Sequence, residues 1–429
     1  MKRSITIGLA TTAGAALLLT GCSGGGGGGA EGGDADTLTI SGWSISTTPE
    51  FQLLADGFAE QHGGDIDVKL VEYDPTEYNT LITADLAAGS APDVITQKEV
   101  KALTTFQGGG QLAGVSDVSL PDDIAGVENY QVDGVSYATP YRQDSWVMYY
   151  NKDLFAQAGV DEPDGSWTWD DYVEALRALG EGLDGAKAAY QHSWQSAVQG
   201  LATAQADTDI LTGEYGQFAE AYERVLTLQD EGLQEPFNTV SANQLTYQGE
   251  FGTQKAATMF MGTWYTGTLI AQQASGEAEE FEWGIAPVPQ KDASTAGTDS
   301  VPVTFGDPTG FGINANIDED KQALAKEFLE YAASEEAAIS LAEIGIRPAL
   351  LTDAVVEAYF GVDGAPQDEL SQFAVQTNDT RAENPASERT NPIQNILNDL
   401  HSAILSGSAD VDDAIAEAEE RVASEVPAE

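Results

Sequence analysis

Apolar residues along 37–97 alternate between the spacing of strands and the spacing of helices. Segments 37–43 and 66–70 place an apolar side chain at every second position, as β-strands do, and 93–97 is a short apolar segment of the same kind. Between these segments, apolar residues three and four positions apart predict two helices. The order β-α-β-α-β predicts an α/β fold with parallel strands and helices on both faces of the sheet.

Both helices have recognisable ends. Thr48 is the predicted N-cap of the first helix, Pro49 occupies its first helical position, and Gly63 and Gly64 end it. Gly89 ends the second helix. Further helical patterns cover 168–179 (with Thr168 as cap and Asp171 three residues later), 218–228, 321–331, 335–343, 393–404 and the residues from 411 onwards.

The predicted sheet brings aromatic and polar residues to one edge. In sheets of this kind the ligand binds beyond the carboxyl ends of the strands. Those ends are Trp43, Tyr73 with Asp74, and Thr96 with Gln97. We therefore expect an aromatic ring and several hydrogen-bonding groups on the same rim.

The first residues have the pattern of an export signal. Two basic residues precede an apolar stretch, 5–20, which is shorter than the roughly 20 residues that a membrane-spanning helix needs. The sequence Leu-Thr-Gly-Cys at 19–22 resembles the lipobox of bacterial lipoprotein precursors. We expect a signal peptide over 1–21, a lipid on Cys22 that fixes the chain to the outer face of the cell membrane, and a glycine-rich tether over 22–36.

Charge and cysteine content exclude several classes of partner and site. The chain has 70 acidic and 18 basic residues, a formal charge of −52. Nucleic acid and anionic lipid surfaces are therefore excluded as partners by repulsion. Cys22 is the only cysteine, so the folded part has no disulfide and no cysteine-based metal or nucleophile site. Its length is sufficient for two domains.

Five segments, in order along the chain, resemble the family 1 extracellular solute-binding proteins of ABC importers, the family that contains maltose-binding protein. The segments are LAAGSAPDV at 86–94, YATPY at 137–141 with YYNKDLF at 149–155, WTWD at 167–170, AATMFMGTW at 256–264, and GFGINA at 310–315 with AKEFL at 325–329.

This resemblance implies a two-lobed periplasmic-binding-protein fold of type 2, in which each lobe is a doubly wound mixed sheet and the ligand lies between the lobes. Lobe one is expected to comprise 37–142 and 308–350, and lobe two 143–307 and 351–429. Three crossing segments, near 140–145, 303–310 and 349–352, would form the hinge that closes the lobes around the solute.

The resemblance also implies a function. The protein would bind a sugar or oligosaccharide, act as a monomer without a cofactor or metal, and deliver the solute to the permease subunits of an ABC importer. It would reach the membrane through its lipid alone, and it would not be an enzyme.

Four aromatic residues are the candidates for stacking on a sugar ring, whose C–H faces are apolar. Trp264 matches the Gly-x-Trp of the family, in which the tryptophan commonly stacks on the ligand, and Tyr265 follows it. Trp43 ends the first predicted strand, and Trp194 lies where related proteins carry a stacking aromatic. Trp167 and Trp169 are interpreted as packing residues, and Trp146 and Trp283 are left between a packing and a binding role.

Six polar residues are the candidates for hydrogen bonds to hydroxyl groups. By analogy with the family, they lie at the end of the third strand, at the three crossings, and before a carboxy-terminal helix. They are Gln97, Asp144, Asp307, Arg347, Arg389 and Asn391.

Two other functions stay open. A secreted carbohydrate hydrolase needs only two carboxylates, and the chain has many. A receptor for a peptide, a polyol or ferric iron would share the fold, although the only adjacent tyrosines, Tyr149 and Tyr150, belong to a motif interpreted as structural. Motifs of serine hydrolases, zinc proteases and P-loop NTPases are absent from the sequence, and the three histidines lack the spacing of metal ligands.

Overall fold

The computed structural model describes residues 36–45 and 49–428. The β-strands are β1 (Thr37–Trp43), β2 (Asp67–Tyr73), β3 (Val94–Gln97), β4 (Gln131–Val132), β5 (Val135–Ser136), β6 (Thr139–Gln143), β7 (Trp146–Asn151), β8 (Lys187–Tyr190), β9 (Ala256–Gly262), β10 (Trp283–Ala286), β11 (Val303–Phe305), β12 (Pro308–Ile313) and β13 (Asp379–Arg381).

The α-helices are α1 (Glu50–Gln61), α2 (Tyr78–Ala88), α3 (Leu103–Gly108), α4 (Lys152–Ala158), α5 (Trp169–Gly182), α6 (Ser196–Gln205), α7 (Ala219–Asp230), α8 (Phe237–Ala242), α9 (Tyr247–Phe251), α10 (Trp264–Ser275), α11 (Glu319–Ala332), α12 (Glu335–Ala342), α13 (Asp353–Phe360), α14 (Glu369–Gln376), α15 (Thr390–Leu405) and α16 (Val411–Glu425). The expected signal peptide, Cys22, the tether up to residue 35 and the Thr48 cap lie outside the described residues.

Lobe one is built on a five-stranded mixed sheet with the order β2-β1-β3-β12-β6. Strands β1, β2 and β3 are parallel, which confirms the prediction from the β-α-β-α-β order, and β12 runs antiparallel to both of its neighbours. Alternate side chains enter two cores, with Ile40 and Val94 on one face of the sheet and Ile95 on the other.

Lobe two is built on a four-stranded mixed sheet with the order β10-β7-β9-β8. Strand β9 pairs antiparallel with β7 and parallel with β8. All seven residues of β9 are buried because helices cover both faces of the sheet. A separate core lies beneath α7, α15 and α16, where Ile393, Leu397 and Ile404 are buried at helical spacing.

The chain passes between the two sheets at short segments that pack against one another. Asp144 and Ser145 join β6 to β7, and Gly306 and Asp307 join β11 to β12. A Cβ atom on Gly306 would lie 2.1 Å from the carbonyl oxygen of Asp144, so only glycine allows the two segments to approach this closely. A β-bridge between Arg142 and Pro348 brings the third segment alongside them.

Two helix starts test the predicted caps. Thr168 accepts a hydrogen bond from the Asp171 backbone, and Asp171 accepts one from the Thr168 backbone in return, which confirms the capping box. Pro49 lies one residue before α1 rather than inside it, and its carbonyl oxygen accepts the first helical hydrogen bond, from the Leu53 backbone at 2.9 Å. Among the described residues, no helix combines the length and the apolar character needed to cross a bilayer.

Candidate functional site

A cavity of about 710 Å³ lies between the lobes, at the carboxyl edges of both sheets. Its wall in lobe one contains Trp43, Lys98, Glu99 and Lys101. Its floor is made by the crossing residues Arg142, Asp144, Trp146, Gly306, Asp307 and Thr309. Its wall in lobe two contains Ser193, Trp194, Gln195, Ser196, Tyr247, Trp264, Glu383, Asn384, Gln394, Asn395 and Asn398.

Trp264 is held over the end of β9 by the glycine that precedes it. A Cβ atom on Gly262 would lie 1.8 Å from the Trp264 ring, so the glycine provides the space into which the indole folds. Trp264 is the first residue of α10, and its half-buried ring stands edge-on to Trp146, with 5.8 Å between centroids. The Gly-x-Trp pattern therefore has a steric cause here.

Trp43 provides the aromatic surface of the opposite wall. Its half-buried ring contacts Phe51 and Tyr78 edge-on, with centroids 5.0 and 5.2 Å away. The ammonium of Lys98 lies 5.4 Å from the Trp43 centroid, at the distance of a cation–π contact. Burial lowers the pKa of Lys98.

Trp194 is the most exposed aromatic residue of the cavity, with 43% of its surface accessible. It contacts the His192 ring edge-on at 4.3 Å and lies 6.0 Å from Tyr247. Burial lowers the pKa of His192 to about 4, so the imidazole is neutral at neutral pH. The Trp194 indole thus lines the cavity and packs against a neutral histidine.

Arg142 forms ion pairs with two carboxylates at the floor of the cavity. Its guanidinium donates to Glu50 and to Asp144, each at 2.8 Å, and the other Asp144 oxygen accepts from the Thr263 hydroxyl at 2.9 Å. Burial opposes the charge on Arg142, but the Asp144 and Glu50 carboxylates outweigh burial and raise its pKa. These contacts link α1, the first crossing and the residue before α10.

Asp307 accepts three hydrogen bonds from one segment of lobe two. Its Oδ1 accepts from the backbone N–H of Glu383 at 2.9 Å and of Asn384 at 3.2 Å, and its Oδ2 accepts from Asn384 Nδ2 at 2.6 Å. Burial raises the pKa of Asp307. Burial, with the nearby Asp307 charge, raises the pKa of Glu383 to about 7.

The cavity brings together Trp264, Trp43, Trp194, Asp144 and Asp307 of the residues selected from the sequence. Gln97, Tyr265, Arg347, Arg389 and Asn391 do not line it.

Three of these five residues are buried elsewhere. Gln97 has no exposed surface and lies against Gly312, and Tyr265 packs in the core of lobe two between Tyr149 and Tyr247. Arg347 is also buried and donates to the backbone carbonyls of the first crossing and of residue 375.

The other two occupy the segment that leads into α15. Arg389 donates to the Leu211 carbonyl at 3.1 Å, within lobe two. Asn391 donates to the Lys101 carbonyl at 3.3 Å, and this hydrogen bond joins lobe two to lobe one beside the cavity.

The polar face of α15 is the main part of the site that the sequence reasoning missed. Gln394, Asn395 and Asn398 line the cavity and were not selected, whereas Asn391 on the same face was selected and does not line it. The four residues recur at the spacing of one helical face, opposite the apolar residues that identify the helix. This stripe of amides was a readable signal. Lys98, Glu383 and Asn384 lie in irregular segments and gave no periodic signal, and Trp146 is a core residue whose edge reaches the cavity.

No group of three or more histidine, cysteine, aspartate or glutamate residues in the described part of the chain has a geometry that would hold a metal ion.

The sequence profile described as bacterial extracellular solute-binding protein matches residues 44–339, more than half of the chain. A solved sugar transporter of Rhizobium etli, in an open conformation, is 30% identical and superposes with a TM-score of 0.79, covering 90% of this chain and 99% of that one. A substrate-binding protein of Listeria monocytogenes in complex with cycloalternan, 20% identical, superposes at 0.73 over 90% of this chain and 97% of its own, which shows the fold alone.

A protein of Brucella abortus assigned as a binding protein is 26% identical over 278 residues, which are 61% of this chain and 64% of that protein. The chain therefore matches less than two thirds of the length of that relative. The structural neighbours are two-lobed solute-binding proteins, which confirms the fold expected from the five motifs.

Proposed function

The chain belongs to the bacterial extracellular solute-binding protein family, and we propose that it captures a sugar or oligosaccharide in the cavity between its lobes and passes it to the permease of an ABC importer. In this proposal the lobes have the boundaries expected from the sequence, act as one monomer, and close around the solute at the crossings.

One observation carries the choice of a sugar. Four of the seven tryptophans, Trp43, Trp146, Trp194 and Trp264, reach a single cavity, and the rest of its surface is rich in carboxamides and hydroxyls. A sugar ring presents an apolar C–H face and a rim of hydroxyls, and these two kinds of surface need aromatic rings and in-plane hydrogen-bonding groups. The Rhizobium etli sugar transporter, similar over nearly its whole length, supports the same class of ligand.

The rival function is a carbohydrate hydrolase that uses the cavity carboxyls. Glu383, with its raised pKa, resembles a general acid, and this is the observation in favour of that function. A second, free carboxylate would be needed. Asp307 accepts from three donors, and Asp144 is held by Arg142 and Thr263. Glu99 pairs with Lys101 and accepts from Asn79 at 2.9 Å. The arrangement supports a binding protein over a hydrolase.

A thermal-shift screen of the purified protein against mono- and oligosaccharides tests the proposal. A solute that binds only the folded state raises the melting temperature as its concentration increases. We expect at least one saccharide to bind with a Kd of roughly micromolar, about −8 kcal/mol. Polyols, peptides and ferric iron are the comparison ligands, and stabilisation by one of these without any saccharide would contradict the proposal.

Chromatography of the bound saccharide separates the two functions. After prolonged incubation with a stoichiometric amount of protein, a receptor returns the saccharide unchanged. The Glu383→Gln variant is the control, because it removes the cavity carboxyl whose pKa is raised to about 7. New products that appear with the wild type and not with this variant would establish the hydrolase.

The membrane attachment is a separate part of the proposal and rests on the lipobox-like sequence that ends at Cys22. Lipidated Cys22 would hold the chain on the outer face of the membrane. We expect a Cys22→Ala precursor expressed in a bacterium to leave the membrane fraction, while a Ser23→Ala precursor remains there. Recovery of the Cys22→Ala protein in the membrane fraction would contradict this attachment.

A further inference from the structure

We infer that Asp307 positions the binding wall of lobe two through a chain of three carboxamides, Asn384, Gln394 and Gln195, and thereby sets which of their atoms donate and which accept hydrogen bonds. The inference rests on the proposed solute-binding function, because all four residues line the same cavity. It assigns specificity to the amide wall and a positioning role to Asp307.

The chain begins at the second crossing. Asp307 Oδ2 accepts from Asn384 Nδ2 at 2.6 Å, while Oδ1 holds the backbone of the same segment. Asn384 Oδ1 then accepts from Gln394 Nε2 at 2.8 Å, and Gln394 Oε1 accepts from Gln195 Nε2. Four residues from the crossing, the segment after β13, α15 and the start of α6 are thus joined in sequence.

The direction of this chain follows from the charge at its origin. The oxygen and nitrogen of a carboxamide occupy nearly the same space, so its neighbours decide its orientation. An ionised carboxylate only accepts, and Asn384 must therefore turn its NH2 group towards Asp307 and its oxygen towards Gln394. Gln394 must in turn direct its NH2 group to the Asn384 oxygen, and Gln195 must direct its NH2 group to the Gln394 oxygen.

The chain ends on an acceptor that lacks a donor. Gln195 Oε1 is buried and has no hydrogen-bond partner among residues 36–45 and 49–428. An unsatisfied buried acceptor destabilises the protein, so a hydroxyl donor that reaches this oxygen when the wall moves around a solute would be favourable. Each amide in the chain also retains a second N–H for the cavity that it lines. A solute is therefore met by a fixed pattern of donors and acceptors, and epimeric sugars would fit it unequally.

Side-chain amide NMR of the full chain, labelled with ¹⁵N on asparagine and glutamine, tests the chain without any ligand. Asp307→Asn places a donor where Oδ2 accepted, so Asn384, Gln394 and Gln195 must each reorient. We expect the side-chain resonances of all three residues to move. Asp292→Asn is the matched control, since Asp292 is an exposed carboxylate that accepts from the Ser294 backbone outside the cavity, and it should move none of them.

A charge-swap variant provides the rescue. In Asp307→Asn with Asn384→Asp, residue 307 donates to the new carboxylate at 384, which again accepts from Gln394, so the downstream amides return to their original direction. For a saccharide that binds the wild type, we expect Asp307→Asn to weaken affinity about tenfold or more and the swap to recover most of it. If Asp307 had only a structural role, this exchange would not restore the affinity.

Gln394→Met breaks the chain in the middle and covers the case in which Asp307→Asn does not fold. The resonances of both neighbours should move, because Asn384 loses the donor to its oxygen and Gln195 loses its acceptor. Adding Asp307→Asn should then move Asn384 again and have no further effect on Gln195. Movement confined to Asn384 in Asp307→Asn, or a swap that binds no better than the single variant, would overturn the inference. If none of the maltose, maltotriose and arabinotriose used as probes binds the wild type, the proposed function fails for these sugars, and the NMR result still decides the chain.

Discussion

The two walls of the cavity are made of different kinds of polar residue. Lobe one contributes charged side chains on irregular backbone, and its Lys101–Glu99 ion pair is 3.4 Å long with about a third of each side chain exposed. Lobe two contributes neutral amides, and three of them are fixed to one another and to Asp307 by hydrogen bonds. We therefore expect the lobe-one wall to rearrange at a lower free-energy cost than the lobe-two wall.

In the proposed function, this difference would separate the initial capture of a solute from its specific recognition. Exposed ion pairs contribute about 0–1 kcal/mol and tolerate many partners, because solvent screens them and long side chains adjust. A part-buried set of amides joined by hydrogen bonds favours one arrangement of donors and acceptors. We therefore expect substitutions on the lobe-two wall to alter which solute binds, and substitutions of the lobe-one charges to have little effect on a neutral solute.

Trp264→Ala gives the largest expected effect. The exposed face of the ring loses its C–H contact with the sugar, a contribution of roughly 1–3 kcal/mol. Affinity should therefore fall roughly ten- to a hundredfold in titration calorimetry, with little change in melting temperature.

Trp167→Ala is the matched control, since Trp167 is another half-buried tryptophan of lobe two, packed near Phe155 outside the cavity. It should lower the melting temperature and leave the affinity unchanged. The opposite pair of results would mean that Trp264 is a packing residue.

Trp43→Ala should weaken affinity by about tenfold and lower stability as well. The ring contacts Phe51 and Tyr78 with its edges, so its removal leaves a cavity in lobe one in addition to removing a stacking surface. Melting and titration measured on the same preparation separate the two losses. An affinity loss greater than that of Trp264→Ala would show that the lobe-one wall contributes more to the binding free energy than the lobe-two wall.

Glu383→Gln should raise the melting temperature at pH 8 by a few degrees and leave it unchanged at pH 5. The pKa of Glu383 is raised from its ordinary value near 4.5 to about 7, because of burial and the adjacent Asp307. The folded state therefore holds the proton more tightly than the unfolded state. Its stabilising contribution is complete below pH 4.5 and is lost as the pH rises through 7.

The charges around Glu383 act in both directions, since Asp307 and Glu99 raise its pKa and Lys101 lowers it. Glutamine mimics the protonated carboxyl, so the quantity to measure is the difference in melting temperature between variant and wild type across this pH range. A difference that is the same at pH 5 and pH 8 would show that Glu383 stays ionised in the folded protein.

Lys101→Gln gives the smallest expected effect, a change in affinity for a neutral saccharide of about twofold or less. The substitution keeps the backbone carbonyl that accepts from Asn391, so the contact between lobes is retained. Because Lys101 lowers the pKa of Glu383, its replacement should raise the pH at which the stabilising contribution of protonated Glu383 is lost. A large loss of affinity would show that the solute carries a negative charge.

The strands and helices were predictable from local signals, and the two-lobed arrangement was expected from the resemblance of five segments to a known family. The parallel strands β1 to β3, the Thr168 capping box and the buried face of α15 all follow from the spacing of apolar residues and caps. The single residue of error at Pro49 arises because a proline with helical backbone angles can lie on either side of a helix boundary.

The site was less predictable because lining a cavity depends on how irregular segments pack. Gln97 is the last residue of β3, whose end lies beside the cavity, yet its side chain turns towards Gly312, where the missing Cβ leaves space. Glu383 and Asn384 lie at the cavity where Asp307, some 75 positions earlier, accepts hydrogen bonds from their backbone N–H groups. No local pattern encodes such a contact.

The crowding of tryptophans gives the protein an optical property. Trp264 and Trp146 meet edge-to-face in the cavity, and Trp43 lies under the Lys98 ammonium. Indole emission depends on the polarity of its surroundings, and these rings exchange water for solute when the cavity fills. The intrinsic fluorescence of the unlabelled chain should therefore report occupancy directly, and replacing the four cavity tryptophans singly would identify which ring each part of the solute covers.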